Sequence, residues 1–213
     1  DAAASAEAAQ EAIARAVTAF SAALIEGRPV QVYDPEGRLL GSEDAGGLLV
    51  PTEPERWQPD APGVWCHWRA GGGHPATFRA YPRCLCLGLG SRRGTPASEI
   101  RAHVATVFAH HGLDARSLVR VGTAEIKRED PGMCEALEGF GAEVVFFAAE
   151  DLAAVTAAGQ SETVRRQVGT GSVCEASALL LARTGADEGE LIVPKAKGQR
   201  VTCAVALAGP EGA

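Results

Sequence analysis

The seven residues CLCLGLG, Cys84 to Gly90, are all apolar or glycine, and no other feature narrows the fold as much. A strand with one wet face alternates polar and apolar positions, so an unbroken run belongs to a strand covered on both faces, as in a layered α/β sheet. The chain beyond keeps that rhythm. Thr95 is placed to cap a helix with Pro96 at its first position. Ile100, Val104, Val107, Phe108 and His111 fall on one face of that helix, and Gly112 ends it. "LVRVGTAE" reads as a strand, "DPGMCEALEGFG" as a short helix capped by Asp130, "EVVFFA" as a strand and "AEDLAAVTAAG" as a helix. "SETVRRQVG" reads as a turn or short helix, and Ser172 with Glu175 forms an S-x-x-E capping box that opens "VCEASALLLART". "ELIVPKAKGQRVTCAVALAG" reads as two strands joined by a basic turn. Residues 83–210 are therefore expected to form a three-layer α/β/α domain with a parallel or mixed sheet, its last two strands a hairpin.

Residues 1–82 read differently. Ile13, Val17, Phe20 and Leu24 make the stripe of an amphipathic helix, and Gly27 stands where its stop belongs. "PVQVYD" reads as a short strand. From Pro35 to Pro82, Gly and Pro separate short β-like pieces, "GLLV", "VWCHW" and "ATFRA", with Trp57, Trp65 and Trp68 as a small core. The expectation is a smaller, irregular α+β region preceding the main domain.

Composition excludes several classes. The 213 residues are 46% hydrophobic and 22% charged, the profile of a folded chain. No apolar run approaches the roughly 20 residues that span a bilayer, and no signal peptide opens the sequence, so a cytoplasmic protein is expected. A formal charge of −7 argues against nucleic acid as a partner. The six cysteines lack the paired spacing of a zinc site and are expected to be reduced and buried, with no metal bound. The chain opens on Asp1 and its one methionine is Met133, which predicts a piece of a longer product.

Chemistry in such a sheet gathers where strands run into helix N-termini. In "GLGSRRGT", Arg92 and Arg93 sit on a glycine-rich turn before a helix. That is either an exposed turn or an anion site built from backbone N–H groups and fixed charge. It matches neither nucleotide fingerprint, since Gly94 arrives one residue late for G-x-G-x-x-G and no lysine precedes Thr95. "EIKREDPG" offers Lys127 as a ligand contact or as solvated surface. "GTGSVCE" offers Glu175 as a helix cap or an acid/base, and "VPKAKGQR" adds Lys195, Lys197 and Arg200. His110 and His111 suit the end of their helix, and no Ser-His-Asp or Cys-His set is recognisable.

Taken in order, "GLGSRRGT", "EIKREDPGMCEALEGFGAEVVFFAAEDLAAV", "SETVRRQVGTGSVCEASALL" and "LIVPKAKGQRVTCAVA" resemble the C-terminal domain of the cobalamin biosynthesis protein CbiG and its stand-alone relative CobE. "AFSAALIEGRPVQVYD" is similar to the central region of CbiG. The resemblance implies anaerobic cobalamin synthesis, with CbiG acting as cobalt-precorrin-5A hydrolase. That enzyme opens a δ-lactone on the macrocycle and releases acetaldehyde to give cobalt-precorrin-5B. It implies a cobalt-precorrin substrate, no cofactor because cobalt is carried by the substrate, and contacts with other enzymes of the pathway. Arg92, Arg93, Thr95, Lys127 and Lys195 become candidate substrate-binding residues, and Glu175 the candidate catalytic acid/base. The family commonly has cysteine at the position of Ser91, and CbiG carries a further N-terminal domain that this chain does not show. Activity of the isolated chain is therefore not expected. The rival expectation is a non-catalytic tetrapyrrole-binding or protein-interaction module like CobE.

Overall fold

The structure, a computed structural model, describes residues 2–39, 47–71, 77–158, 172–183 and 189–209. "SETVRRQVG" and the first residues of "GTGSVCE" lie outside the described residues. The chain divides into two compact units that meet in sequence at Pro82 and Arg83.

In the first unit, helix α1 (Ala2–Ile25) ends at Gly27, whose φ of +67° a side chain would strain. Strands β1 (Val30–Tyr33), β2 (Leu49–Pro51), β3 (Gly63–Cys66) and β4 (Thr77–Ala80) pair in the order β2-β1-β3-β4, all parallel. The region expected to be irregular is thus a small parallel sheet. Its strands are only three or four residues long, so turn residues dominate the composition and hide the ladder. The expected α1 stripe is also corrected. Ala16 and Ala23 are the buried positions, while Ile13 is 54% and Val17 38% exposed. Small alanines let the helix lie close to the sheet, and of the expected stripe Phe20 and Leu24 are half-buried beside them. Trp57 and Trp68 are buried, and Trp57 meets Trp65 edge-on at 5.1 Å between ring centroids.

The second unit holds β5 (Leu85–Ser91), α2 (Ala97–His111), β6 (Leu118–Ala124), α3 (Pro131–Glu138), β7 (Glu143–Phe147), α4 (Ala149–Ala158), α5 (Val173–Ala182), β8 (Glu190–Lys197) and β9 (Val201–Leu207). Its sheet runs β7-β6-β5-β9-β8. β5, β6 and β7 are parallel, and the β8–β9 hairpin joins antiparallel through β9, so the sheet is mixed. Leu85, Leu87 and Leu89 are wholly buried on one face of β5. Cys86 and Gly88 on the other face meet α5. That alternation within an unbroken apolar run is what a three-layer α/β/α domain requires. α4 and α5 cover one face, and Ile100, Val104, Val107 and Phe108 of α2 with Met133 and Leu137 of α3 supply the other.

Three local expectations shift. α2 starts at Ala97 with Pro96 as its cap residue, so Thr95 does not cap it. Its hydroxyl instead donates to the Arg92 carbonyl at 2.7 Å, closing the turn before the helix begins. Asp130 is the cap residue of α3, but its side chain makes no capping bond. The Ser172–Glu175 capping box is not formed either: the Ser172 hydroxyl lies 3.1 Å from Cys174 Sγ, two residues on, and the Glu175 carboxylate accepts from the Lys195 N–H of β8.

Candidate functional site

β5 pairs with β9 from Leu85↔Leu207 to Ser91↔Val201, so the arginine turn after β5 is forced against the basic turn before β9. The Arg92 N–H donates to the Arg200 carbonyl at 2.8 Å. Arg200 returns its guanidinium to the Arg93 and Gly94 carbonyls at 3.3 and 3.0 Å. Gly94 turns at φ +68°, and Thr95, 1% exposed, fastens the turn from below. The backbone is clamped while the side chains of Arg92 and Arg93 stay exposed, with no ion pair among the described residues.

An open cleft of about 420 Å³ lies beside this turn, lined among others by Arg92, Ser172, Lys195, Lys197, Arg200 and Thr202. Among the described residues that line it, none is acidic. α5 begins at its wall, since Ser172 and Val173 also line it, and the positive end of the helix dipole adds to four cationic side chains. Such an arrangement attracts a ligand with more than one negative group, and guanidinium matches carboxylate with two parallel hydrogen bonds.

Lys195 reaches the cleft by way of a bulge. Val193 pairs with Val205 and Ala196 with Cys203, so three steps along β8 match two along β9, and the surplus falls at Pro194 and Lys195. The Lys195 N–H donates to Glu175 Oε1 at 3.0 Å. Glu175 itself is 3% exposed and does not line the cleft. Its Oε2 is buried with no hydrogen-bond partner among the described residues.

Arg93 and Lys127 belong to another hollow. About 340 Å³ in volume, it is lined by Arg93, Ile126, Lys127, Glu129 and Asp130. Lys127 Nζ lies 2.9 Å from Asp130 Oδ2, with side-chain exposures of 14% and 5%. Among the expected binding residues, the structure thus groups Arg92 with Lys195, and Arg93 with Lys127, on the two sides of one turn. Arg200 and Lys197 join the first group. The density of basic residues in "KAKGQR" was the sequence signal for them, but only the β5–β9 pairing shows which turn they face.

Burial pushes the Asp130 carboxyl up, but the hydrogen bond and charge of Lys127 outweigh it and hold the group below its ordinary value. A depressed carboxylate stabilises the fold above its unfolded-state value, and that contribution is lost as pH falls through the folded-state value. Asp130→Asn should therefore lower stability at neutral pH and flatten the acid limb of the stability curve below about pH 4. Urea melts at pH 7 and pH 3 test this, and an unchanged acid limb would refute it.

The cysteines offer no nucleophile at the cleft. Burial, with Cys174 nearby, pushes the Cys203 thiol up to about 12, so its thiolate is scarce at neutral pH. All six thiols are free and five are buried. Cys134 is the departure, a half-exposed residue on α3 whose Sγ lies 3.2 Å from the Arg128 carbonyl. Among the described residues no group of three His, Cys, Asp or Glu is placed to hold a metal, and no helix is long and apolar enough to cross a membrane.

Residues 85–206 match the family model for the cobalamin synthesis G C-terminus. A cobalt-precorrin-5A hydrolase of Priestia megaterium is 32% identical over 126 residues, which is 59% of this chain and 33% of that protein. The chain thus spans about a third of the length of that relative. Protein CobE of a Sinorhizobium species is 33% identical over 141 residues, 65% of this chain and 88% of that one. Among solved structures, a cobalamin biosynthesis protein of Agrobacterium tumefaciens superposes with a TM-score of 0.50 at 28% identity, covering 58% of this chain and 98% of that one. The mixed α/β architecture agrees with that neighbour.

Proposed function

The chain belongs to the cobalamin synthesis G C-terminal family and has its place in cobalamin biosynthesis, and within that pathway we propose that it supplies the carboxylate-binding cleft of a cobalt-precorrin-5A hydrolase. One observation carries the reading: Arg92, Lys195, Lys197 and Arg200 converge with the start of α5 on a cleft that no acidic side chain lines among the described residues. A cobalt-precorrin is a macrocycle fringed with acetate and propionate groups, so several fixed cations can hold it at several points. Charge-assisted hydrogen bonds of this kind contribute about 1.5–3 kcal/mol each. In the proposed reaction water adds to the lactone carbonyl, the acyl C–O bond breaks, and a new carboxylate and a hydroxyl result; the hydroxyl then loses its proton and becomes a carbonyl as the C–C bond to the macrocycle breaks, its electron pair passing to the macrocycle, and the two-carbon fragment leaves as acetaldehyde. Negative charge grows on the carbonyl oxygen during this step, and the cations with the α5 N–H groups are suited to stabilise it. Arg93, Thr95 and Lys127 support the same turn from its other side. No cofactor of the protein's own enters the scheme.

A second reading, a CobE-like binding module without catalysis, is favoured by the identity to CobE, 33% over 141 residues beside 32% over 126 for the hydrolase. An anoxic titration with cobalt-precorrin-5A, followed by absorbance and by acetaldehyde release, tests both readings. Saturable binding that weakens with added salt supports the cleft, and acetaldehyde release separates enzyme from module. An unchanged spectrum throughout the titration overturns both.

A further inference from the structure

Glu175 is placed in the first turn of α5, where a glutamate ordinarily turns back to cap the helix, yet it reaches across to β8. A buried carboxylate with one bonded oxygen and one oxygen without a partner among the described residues lowers stability relative to an apolar side chain of the same size. Its place is therefore not explained by packing. Three features meet at its one hydrogen bond. β8 is an edge strand, its ladder to β9 is interrupted at Pro194 and Lys195, and the Lys195 N–H displaced by that interruption is the donor to Oε1. A bulge on an edge strand re-aims the side chain it carries, and this one carries a lysine that lines the cationic cleft.

We propose that Glu175 is a positioning residue that pins the β8 bulge through the Lys195 backbone and so fixes the Lys195 ammonium in the carboxylate-binding cleft. The inference rests on the reading of that cleft as the ligand site. It assigns Glu175 a hydrogen-bond acceptor's task, for which the negative charge is dispensable. Proton transfer would need a carboxyl group in reach of the substrate, and Glu175 does not line the cleft.

Two substitutions of similar size separate the roles. Glu175→Gln keeps an oxygen that accepts the Lys195 N–H, whereas Glu175→Met fills the space without one. In Glu175→Met the Lys195 amide should exchange with deuterium at least about tenfold faster, and affinity for a cobalt corrinoid bearing free carboxylates should fall roughly tenfold or more, as it does in Lys195→Ala. Glu175→Gln should restore both. The double variant Glu175→Met/Lys195→Ala should bind no worse than Lys195→Ala alone, because both changes remove one interaction. Additive losses, or a Gln variant as impaired as Met, overturn the proposal. The amide exchange of Lys195 is read without ligand. A wild-type chain that binds no corrinoid would refute the cleft, while Lys195 exchange would still report whether Glu175 pins the bulge.

Discussion

Gly88→Ala should lower the melting temperature of the second unit by about 10 °C, or prevent it from folding. A Cβ at Gly88 would stand 1.8 Å from the Cys174 carbonyl oxygen and 2.7 Å from the Ala178 nitrogen. Both neighbours are backbone atoms of α5, so no rotamer change relieves the clash and the helix must lift from β5. Over-packing a close-packed interior costs about 1–3 kcal/mol and occasionally more, and a backbone clash belongs at the upper end. For a unit of this size each kcal/mol moves the midpoint by roughly 3–5 °C. Gly112→Ala offers the contrast. Gly112 ends α2 at φ +63° with nothing within 4 Å of a new Cβ, so only the left-handed backbone opposes the change, at about 1–2 kcal/mol. Thermal melts by circular dichroism rank the two, and a Gly88→Ala protein that melts with the parent would disprove the close approach. The same substitution should also impair ligand binding, since the turn of α5 that Gly88 admits is the one that carries Glu175.

That dependence shows where sequence is informative. The unbroken apolar run at Cys84–Gly90 announced a strand buried on both faces, and helical periodicity announced α2 with its stop at Gly112, because these are local consequences of residue order. The capping reading of Glu175 fails for the opposite reason. Ser172 and Glu175 have the spacing of a capping box, and only the arrival of β8, with an N–H freed by its bulge, offers the carboxylate another partner. Lys127 follows strand β6 and Lys195 stands near the end of strand β8, so in the sequence both are basic residues at a strand end, with nothing to separate them. Separation came from β9 inserting between β5 and β8, which brings the "KAKGQR" turn to Arg92 and leaves Lys127 with Asp130. The four strands of the first unit coincide with the pieces PVQVYD, GLLV, VWCHW and ATFRA, but their pairing into one parallel sheet is not legible in segments of three or four residues.

Removing Arg92 and Lys195 together should weaken binding of a carboxylate-bearing cobalt corrinoid by about 10² to 10⁴-fold while leaving the melting temperature within a degree or two of the parent. Arg92 is exposed and Lys195 half-buried on an edge strand, and neither side chain has an ion-pair partner among the described residues, so alanine at both positions takes no packing from the core. Each cation is worth about 1.5–3 kcal/mol when it meets a carboxylate with water excluded, and every 1.4 kcal/mol is a tenfold change in affinity. Arg93→Ala provides the internal comparison. Arg93 lines the hollow with Lys127 rather than the cleft, so its loss should weaken binding less than loss of Arg92. Raising salt should narrow the gap between parent and double variant, because the lost term is electrostatic and the cleft is open to solvent. Absorbance titrations of the parent, the double variant, Arg92→Ala and Arg93→Ala at two ionic strengths decide the matter. Equal affinities for parent and double variant would remove the cleft from the proposed function. An Arg93→Ala loss larger than that of Arg92→Ala would move the ligand to the other side of the turn.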